Sequence, residues 1–436
     1  MTTPSAKLLR LLAFGAPLWI LAGLFPLLIV LPIAWIGGLL VAAWMESRQG
    51  PGPESFRVGR DLPTRISYDE ESMVTLQFVN RWKDEVHVFL RDEVPDLLCP
   101  SQQMFEFSLS PGQTARLQYC VKPTQRGGYP FHRVLARVEF ARRLVVQSFC
   151  FDCTSLAKVY PRFRSTSNYE LLARIAERSE ARKPRRMRAR GSDYDSLRPY
   201  VPGDDPRNIE WKSTARRGQL ICKEPRVEKG QHIALLVDTG RLTAAHIDGH
   251  PRLEYFLEGC VRLSYVVQKR GDTLSLACFS NTIDTFIPSL KKHQIVPSVM
   301  EALCTVQPRS VESDYWGATA RVLSKLRRRS LVVLFTNVLD PSASKGLIRN
   351  MKAAASRHLV LCVVLSDPTL QRVAHQTVTN TTAGWMAAAA CDMRRRRRLA
   401  LETMRSSGIL VLECEPKQLS HQLIRRYLDI RRENLQ

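Results

Sequence analysis

From Leu11 to Met45 the chain runs for 35 residues without one charged side chain. A single helix of that length would measure about 52 Å at 1.5 Å per residue, well beyond a hydrocarbon core of about 30 Å. Two short helices fit better. Gly23-Leu24-Phe25-Pro26 supplies the break, because Gly and Pro favour a turn and Pro26 suits the start of a second helix. The expectation is a transmembrane helical hairpin over residues 7–45, with arms of about 17 to 20 residues. Lys7 and Arg10 precede the run, and Arg48, Arg57 and Arg60 follow it. By the positive-inside bias both flanks, and the soluble region behind them, are expected in the cytoplasm. Trp19, Trp35 and Trp44 are candidates for the membrane interfaces, with Trp35 equally suited to packing between the arms. A cleavable signal peptide fits less well, since the apolar run is too long and no small-residue cleavage site precedes soluble sequence.

The 436 residues, 44% of them hydrophobic, suffice for two or three domains with real cores. Residues 55–160 alternate with period two, as in Val74, Leu76 and Phe78, or Val134, Ala136, Val138 and Phe140. Pro111-Gly112 and Gly127-Gly128 supply turns, and a small β-sandwich is the economical fold. His87 and His132 are isolated in this region and read as structural. The eleven cysteines show no paired framework and read as reduced thiols. Cys150 and Cys153 form a C-x-x-C, but on a strand they face opposite ways, and no second ligand pair lies at zinc spacing.

A basic helical connector is expected over residues 168–190, with six Lys or Arg among the nine residues Arg182 to Arg190. Together with the net charge of +23, it suits an anionic leaflet. Nucleic-acid binding is the alternative, but no aromatic platform, zinc pattern or helix-turn-helix accompanies the charge. A second run, Arg394 to Arg398, lies in an expected helix, where five successive positions would point to every side and form no single stripe. Over residues 231–436 apolar strands (Ile233–Val237, Leu274–Phe279, Leu331–Phe335, Leu359–Leu365, Ile409–Leu412, and Ile283–Ile287 at an edge) alternate with helices. That pattern predicts a mainly parallel, doubly wound α/β sheet, with ligands at the strands' carboxyl ends.

Between connector and sheet, within residues 191–230, lies GSDYDSLRPYVPGDDPRNIEWKSTARRGQL. Gly203 is free to take positive φ in the turn around Asp204 and Asp205. Arg198, Arg207 and Arg216 are near enough in sequence to pair with these carboxylates, Asp193 and Asp195. Two uses are open. One is a hydrogen-bonded clamp with Trp211 as apolar pin, and the other is a partner or anion site built on the arginine forks. The order of Arg198 and Tyr200 (L-R-x-Y), Gly203-Asp204-Asp205 with Arg207 and Trp211, and Ala215-Arg216 resembles the signature of the bacterial family called domain of unknown function 58. LLVDTGR, RGDTLSL, the DYWGA segment and LVVLFTNVLDP extend the resemblance.

The resemblance implies a membrane-tethered von Willebrand factor A-like α/β domain of the bacterial inner membrane, associated with a MoxR-type AAA+ ATPase. In metal-binding domains of that type a D-x-S-x-S loop, a Thr and a second Asp hold Mg²⁺. Here Asp238 matches, but Gly240 and Leu242 replace both hydroxyls and Asn337 replaces the later Asp. Asp314 and Asp340 are the possible substitutes. With charge and ligands lost, no metal or other cofactor is expected. His246, Asp248 and His250 read as loop residues beside Gly249 and Pro251. The expected function is a non-catalytic adaptor or scaffold that presents the domain to a cytoplasmic protein partner in envelope maintenance or complex assembly. The alternatives are a hydrolase using carboxylates near Asp204 and Asp238, or binding of anionic lipid or nucleic acid. No nucleophile elbow, P-loop or H-E-x-x-H is present to favour the enzyme.

Overall fold

The uncharged run folds into two helical arms, Ala6–Leu24 and Leu27–Gln49, each long and apolar enough to cross a membrane. The structure, a computed structural model, describes residues 2–162, 194–201, 209–225, 231–326, 328–338, 344–377 and 379–434. The expected connector at 168–190 lies outside the described residues. The break falls at Phe25, followed by a 3₁₀ turn over Pro26–Ile29 with Pro26 at its first position. The first arm, at 19 residues, has the expected length, while the second, at 23, is longer because its end takes in Glu46 and Arg48. Trp35 packs between the arms: its Nε1 donates to the Leu11 carbonyl at 3.1 Å. A Cβ on Gly15 would lie 2.7 Å from the same indole, so this crossing needs glycine.

The polar ends of the arms are tied to a turn in the following β region. Lys7 Nζ donates to the Arg142 carbonyl at 2.9 Å, and the Leu144 amide donates to Glu46 at 3.0 Å. Thr2–Pro4 adds a short antiparallel strand beside Val145–Gln147. Three residues have no readable period, so this strand exists only because a sheet edge is there to receive it.

Chain contacts divide the molecule into two units, Met1–Arg162 with Leu303–Thr305, and the rest of Phe163–Gln436. In the first unit Phe56–Asp61, Ser72–Asn80 and Thr114–Val121 form one sheet, while Val145–Tyr160, Gly127–Phe140, Val86–Asp92 and Met104–Leu109 carry the other. The alternating residues do point inward: Val74, Leu76, Phe78, Val134, Ala136, Val138 and Phe140 share one core. Cys153 packs against that core while Cys150 is exposed, as their odd spacing on one strand requires. Arg60 departs from the expected role. It is not a free basic flank of the apolar arms, because its side chain is 1% exposed and pairs with the fully buried Asp92. Tyr119 donates to the same carboxylate at 2.6 Å. Burial, then the Asp92 bond, pushes the Tyr119 pKa up, so the phenol keeps its proton.

In the second unit six strands form one sheet: β1 (His232–Asp238), β2 (Thr273–Phe279), β3 (Ile283–Lys291), β4 (Leu331–Phe335), β5 (Leu359–Leu365) and β6 (Leu410–Cys414). Their order is β3-β2-β1-β4-β5-β6, all parallel except the edge strand β3. Continuous apolar runs such as Ile233–Val237 are needed because helices cover both faces. On one face Leu236, Leu334 and Cys362 pack with α2 (Tyr315–Leu323), α3 (Lys345–Ala355) and α4 (Thr381–Ser406). On the other, Phe335 meets Phe256 of α1 (Arg252–Arg270) at a ring separation of 5.7 Å, and α5 (Leu419–Asn434) lies against α1. An apolar helix at Ile295–Cys304 was not expected from sequence. Strand order places the switch point between β1 and β4, so Asp238 and Asn337 emerge side by side at the carboxyl edge.

The buried pair in the sandwich offers a direct test of this packing. Arg60→Ala strands the Asp92 charge, for an expected loss of about 3 to 5 kcal/mol. A thermal melt of the full chain in detergent should show the β unit unfolding earlier, and the double change Arg60→Met with Asp92→Leu should recover much of the loss. Equal melting of Arg60→Ala and the native chain would show that the pair carries no net stability.

Candidate functional site

At the carboxyl edge of β1, Asp238 is 1% exposed and both its oxygens are fully engaged. Oδ1 accepts the Gly240 amide at 2.8 Å and the Ser313 hydroxyl at 2.5 Å. Oδ2 accepts the Tyr315 and Thr336 hydroxyls, each at 2.7 Å. A carboxylate offers about four lone-pair positions, and protein donors fill them. Burial, followed by the Asp238 charge, pushes the Tyr315 pKa up, so its phenol remains a donor.

The geometry also explains Gly240. A Cβ there would lie 2.1 Å from the Ser313 hydroxyl and 2.9 Å from the Val311 carbonyl. The hydroxyl missing from the first loop is thus replaced by one from the segment before α2, and the two cannot coexist in this arrangement. Asp314 is not the substitute ligand that the sequence offered. It caps α2, accepting the Trp316 and Gly317 amides at 3.0 Å each. Asp340 lies outside the described residues. Leu242 lines a cavity of about 50 Å³ beside Tyr315 and Asn337. These residues do not fit a Mg²⁺ site, since an ion wanting about six oxygens would have to displace a protein donor from Asp238. His246 and His250 flank a tight hairpin turn with positive φ at Asp248 and Gly249, and form no cluster with Asp238.

The signature segment is described in part. Tyr194–Pro199 pairs antiparallel with Ile221–Pro225, which places the Arg198 backbone on a short hairpin. The Tyr200 amide continues it by donating to the Leu220 carbonyl at 2.9 Å. Gly203, Asp204, Asp205 and Arg207 lie outside the described residues. Trp211 opens the helix Trp211–Arg217 and is 67% exposed, so it does not act as a buried pin. A short helix leaves a first-turn side chain exposed unless another element covers it, and periodicity could not show that. Arg216 is exposed on the same helix.

The second arginine run points to several sides of its helix, as its spacing implies, but part of it joins residues further along α4. On α4, Arg394, Arg397 and Arg398 share a face with Leu401 and Arg405, following the i, i+3, i+4, i+7, i+11 spacing of one helical stripe. Arg396 points elsewhere and pairs with Asp392 at 2.7 Å, with Arg395 at 3.4 Å from the same carboxylate. The stripe lines a cavity of about 440 Å³ at the carboxyl ends of β4, β5 and β6. Arg397 Nη2 donates to the Leu365 carbonyl at 2.5 Å, and its Nε lies 3.4 Å from Glu413. Arg252 pairs with Asp367 at 2.8 Å. Asn337, between this cavity and the Asp238 cluster, is 2% exposed, and neither atom of its amide has a partner among the described residues.

Two substitutions test the carboxylate cluster. Tyr315→Phe removes one donor from a buried carboxylate and should cost about 1 to 3 kcal/mol in a denaturation experiment. Gly240→Ser, which restores the residue of metal-binding loops, should destabilise the chain and still show no saturable heat on calorimetric titration with Mg²⁺. Micromolar Mg²⁺ binding by the native chain, lost in Asp238→Ala, would overturn the account.

An uncharacterized protein of Mycobacterium tuberculosis is 23% identical over 180 residues, 41% of this chain and 56% of that protein. The uncharacterized protein YeaD of Bacillus subtilis is 29% identical over 122 residues, 28% of this chain and 30% of its own length. The chain therefore spans little more than half the length of the first and under a third of the second. Among solved structures, the CARDB domain of PF1109 from Pyrococcus furiosus matches 24% of this chain and 94% of its own, at 16% identity and a TM-score of 0.17. A Salmonella alpha-2-macroglobulin matches 24% of this chain and 7% of its own, at 17% identity and a TM-score of 0.19. The family model of protein of unknown function DUF58 matches residues 196–406, from the signature hairpin through the Asp238 cluster to the end of α4. By that match residues 196–406 carry the DUF58 domain.

Proposed function

We propose that this chain is a membrane-anchored adaptor of the bacterial inner membrane that presents a von Willebrand factor A-like domain to a cytoplasmic protein, without a bridging metal. The observation that carries the reading is the saturated Asp238, whose lone pairs are committed to Gly240, Ser313, Tyr315 and Thr336. A partner engaging this edge must therefore use direct contacts. The strand order with one antiparallel edge strand supports the A-type assignment, and the two N-terminal apolar arms support the anchor. The exposed Trp211 favours an interface over an internal clamp, because a large exposed aromatic is the kind of side chain that anchors protein contacts. The family resemblance makes a MoxR-type AAA+ ATPase the first partner to test. The hydrolase reading has less support, since a carboxylate already accepting four hydrogen bonds is poorly placed to take a proton from water.

Three outcomes are expected. Co-purification of a MoxR-type ATPase with the full chain in mild detergent should persist in excess EDTA. Trp211→Ala should weaken that association while leaving stability within about 0.5 kcal/mol, as for other surface changes. A reporter active only in the periplasm, fused after Gln436, should give no signal if the hairpin returns the soluble region to the cytoplasm. Loss of the complex in EDTA would sink the metal-free reading, and a strong reporter signal would sink the orientation.

A further inference from the structure

The arginine cavity lies on the same sheet edge as the Asp238 cluster but is lined by other side chains, and it has the attributes of a small-molecule site. Its volume of about 440 Å³ falls within the range of ligand pockets, roughly 300 to 1,000 Å³. It sits at the carboxyl ends of parallel strands, next to the switch point, where open α/β sheets bind their ligands. Five arginines line it (252, 394, 397, 398 and 405) against three carboxylates, Asp367, Glu413 and Glu415. Arg252 is paired with Asp367 and Arg397 lies beside Glu413. Among the described residues Arg394 meets the His375 ring at 3.1 Å and no carboxylate. Arg398 and Arg405 have no carboxylate within 4 Å among the described residues. The cavity thus holds more cationic donors than its own acids neutralise.

A second, independent feature borders the same space: Asn337 lines this cavity as well as the smaller one beside Tyr315. The Asn337 side chain is buried without a hydrogen-bond partner among the described residues. Leaving such an amide unsatisfied is unfavourable, and a ligand in the cavity would offset that. An Asp at this position would repel an anion. The neutral Asn that removes charge from a cation site is thus suited to an anion site next door.

From this geometry we infer that the cavity binds a small organic polyanion carrying phosphate groups. Its donors converge from separate elements: Arg252 from α1, Asn337 after β4, Ser366 after β5 and the arginine stripe from α4. A tetrahedral phosphate presents oxygens in several directions and accepts from such a set, whereas a planar carboxylate presents two oxygens in one plane. Leu370, Met393 and Leu401 add apolar surface for the organic part.

Calorimetric titration of the full chain in a non-ionic detergent tests the assignment, with pyrophosphate, ATP and citrate as probes. Saturable one-site binding of pyrophosphate or ATP is expected, tighter than citrate and weakened by added salt. Arg394→Gln and Arg398→Gln should each weaken it about tenfold or more, the equivalent of one charge-assisted hydrogen bond. Asn337→Asp should weaken it as well. Arg395→Gln, on the outward face, should leave the affinity unchanged. Arg398 is exposed and Arg394 half-buried, so their variants test binding even if a change at Arg397, whose side chain is largely buried, unfolds the domain. Absence of saturable heat with both phosphate probes at millimolar concentration would overturn the inference. So would tighter binding of citrate, or an equal loss in Arg395→Gln.

Discussion

A parallel strand buried on both faces can present chemistry only at its ends, and this constraint governs the second unit. The interior of β1 is occupied by Ile233 to Val237, all fully buried. Every polar group with a role must therefore sit where strands give way to loops. Asp238 and Asn337 occupy two such ends side by side, yet their environments diverge. Asp238 has every acceptor position filled by the protein. The Asn337 side-chain amide has neither of its polar atoms partnered among the described residues.

That divergence has a chemical consequence. A carboxylate in a metal site keeps lone pairs free for the ion, and its neighbouring hydroxyls point lone pairs at the same ion. Here Ser313, Tyr315 and Thr336 instead point hydrogens at the carboxylate, and Tyr315 brings a bulky phenol into the space beside it. The negative charge is stabilised by oriented donors in place of a cation. Around the neighbouring ends of β5 and β6 the balance reverses, with arginines in excess of carboxylates. One sheet edge thus carries a closed anionic centre and an open cationic cavity a few residues apart.

In the first unit, the polar ends of the two apolar arms are held by a turn of the sandwich. Glu46 accepts the Leu144 amide, Lys7 donates to the Arg142 carbonyl, and Thr2–Pro4 joins the sheet edge. Backbone groups that would otherwise lie unpaired near the apolar arms are satisfied in this way. Burial of Arg60 against Asp92 then removes one of the charges that sequence alone would count toward orientation.

Much of this was legible in the sequence, because periodicity and charge are local. The uncharged run predicted two arms and their break near Pro26. Alternation gave the inward residues of the sandwich, and the apolar strands with intervening helices gave the α/β sheet with its edge strand. The loss of hydroxyls at Gly240 and Leu242 was visible in the same way. What replaced them was not. Ser313 and Tyr315 lie 75 and 77 residues from Asp238 in sequence, and only the folded sheet brings the segment before α2 to that carboxylate. The arginine run shows the same limit. Five adjacent arginines look isotropic along a helix, but the packing of α4 on the sheet turns Arg394, Arg397, Arg398 and Arg405 toward one cavity and leaves Arg395 and Arg396 facing away. Sequence determines which residues are apolar, charged or able to turn; which charges meet is decided by the distance that tertiary packing sets between them.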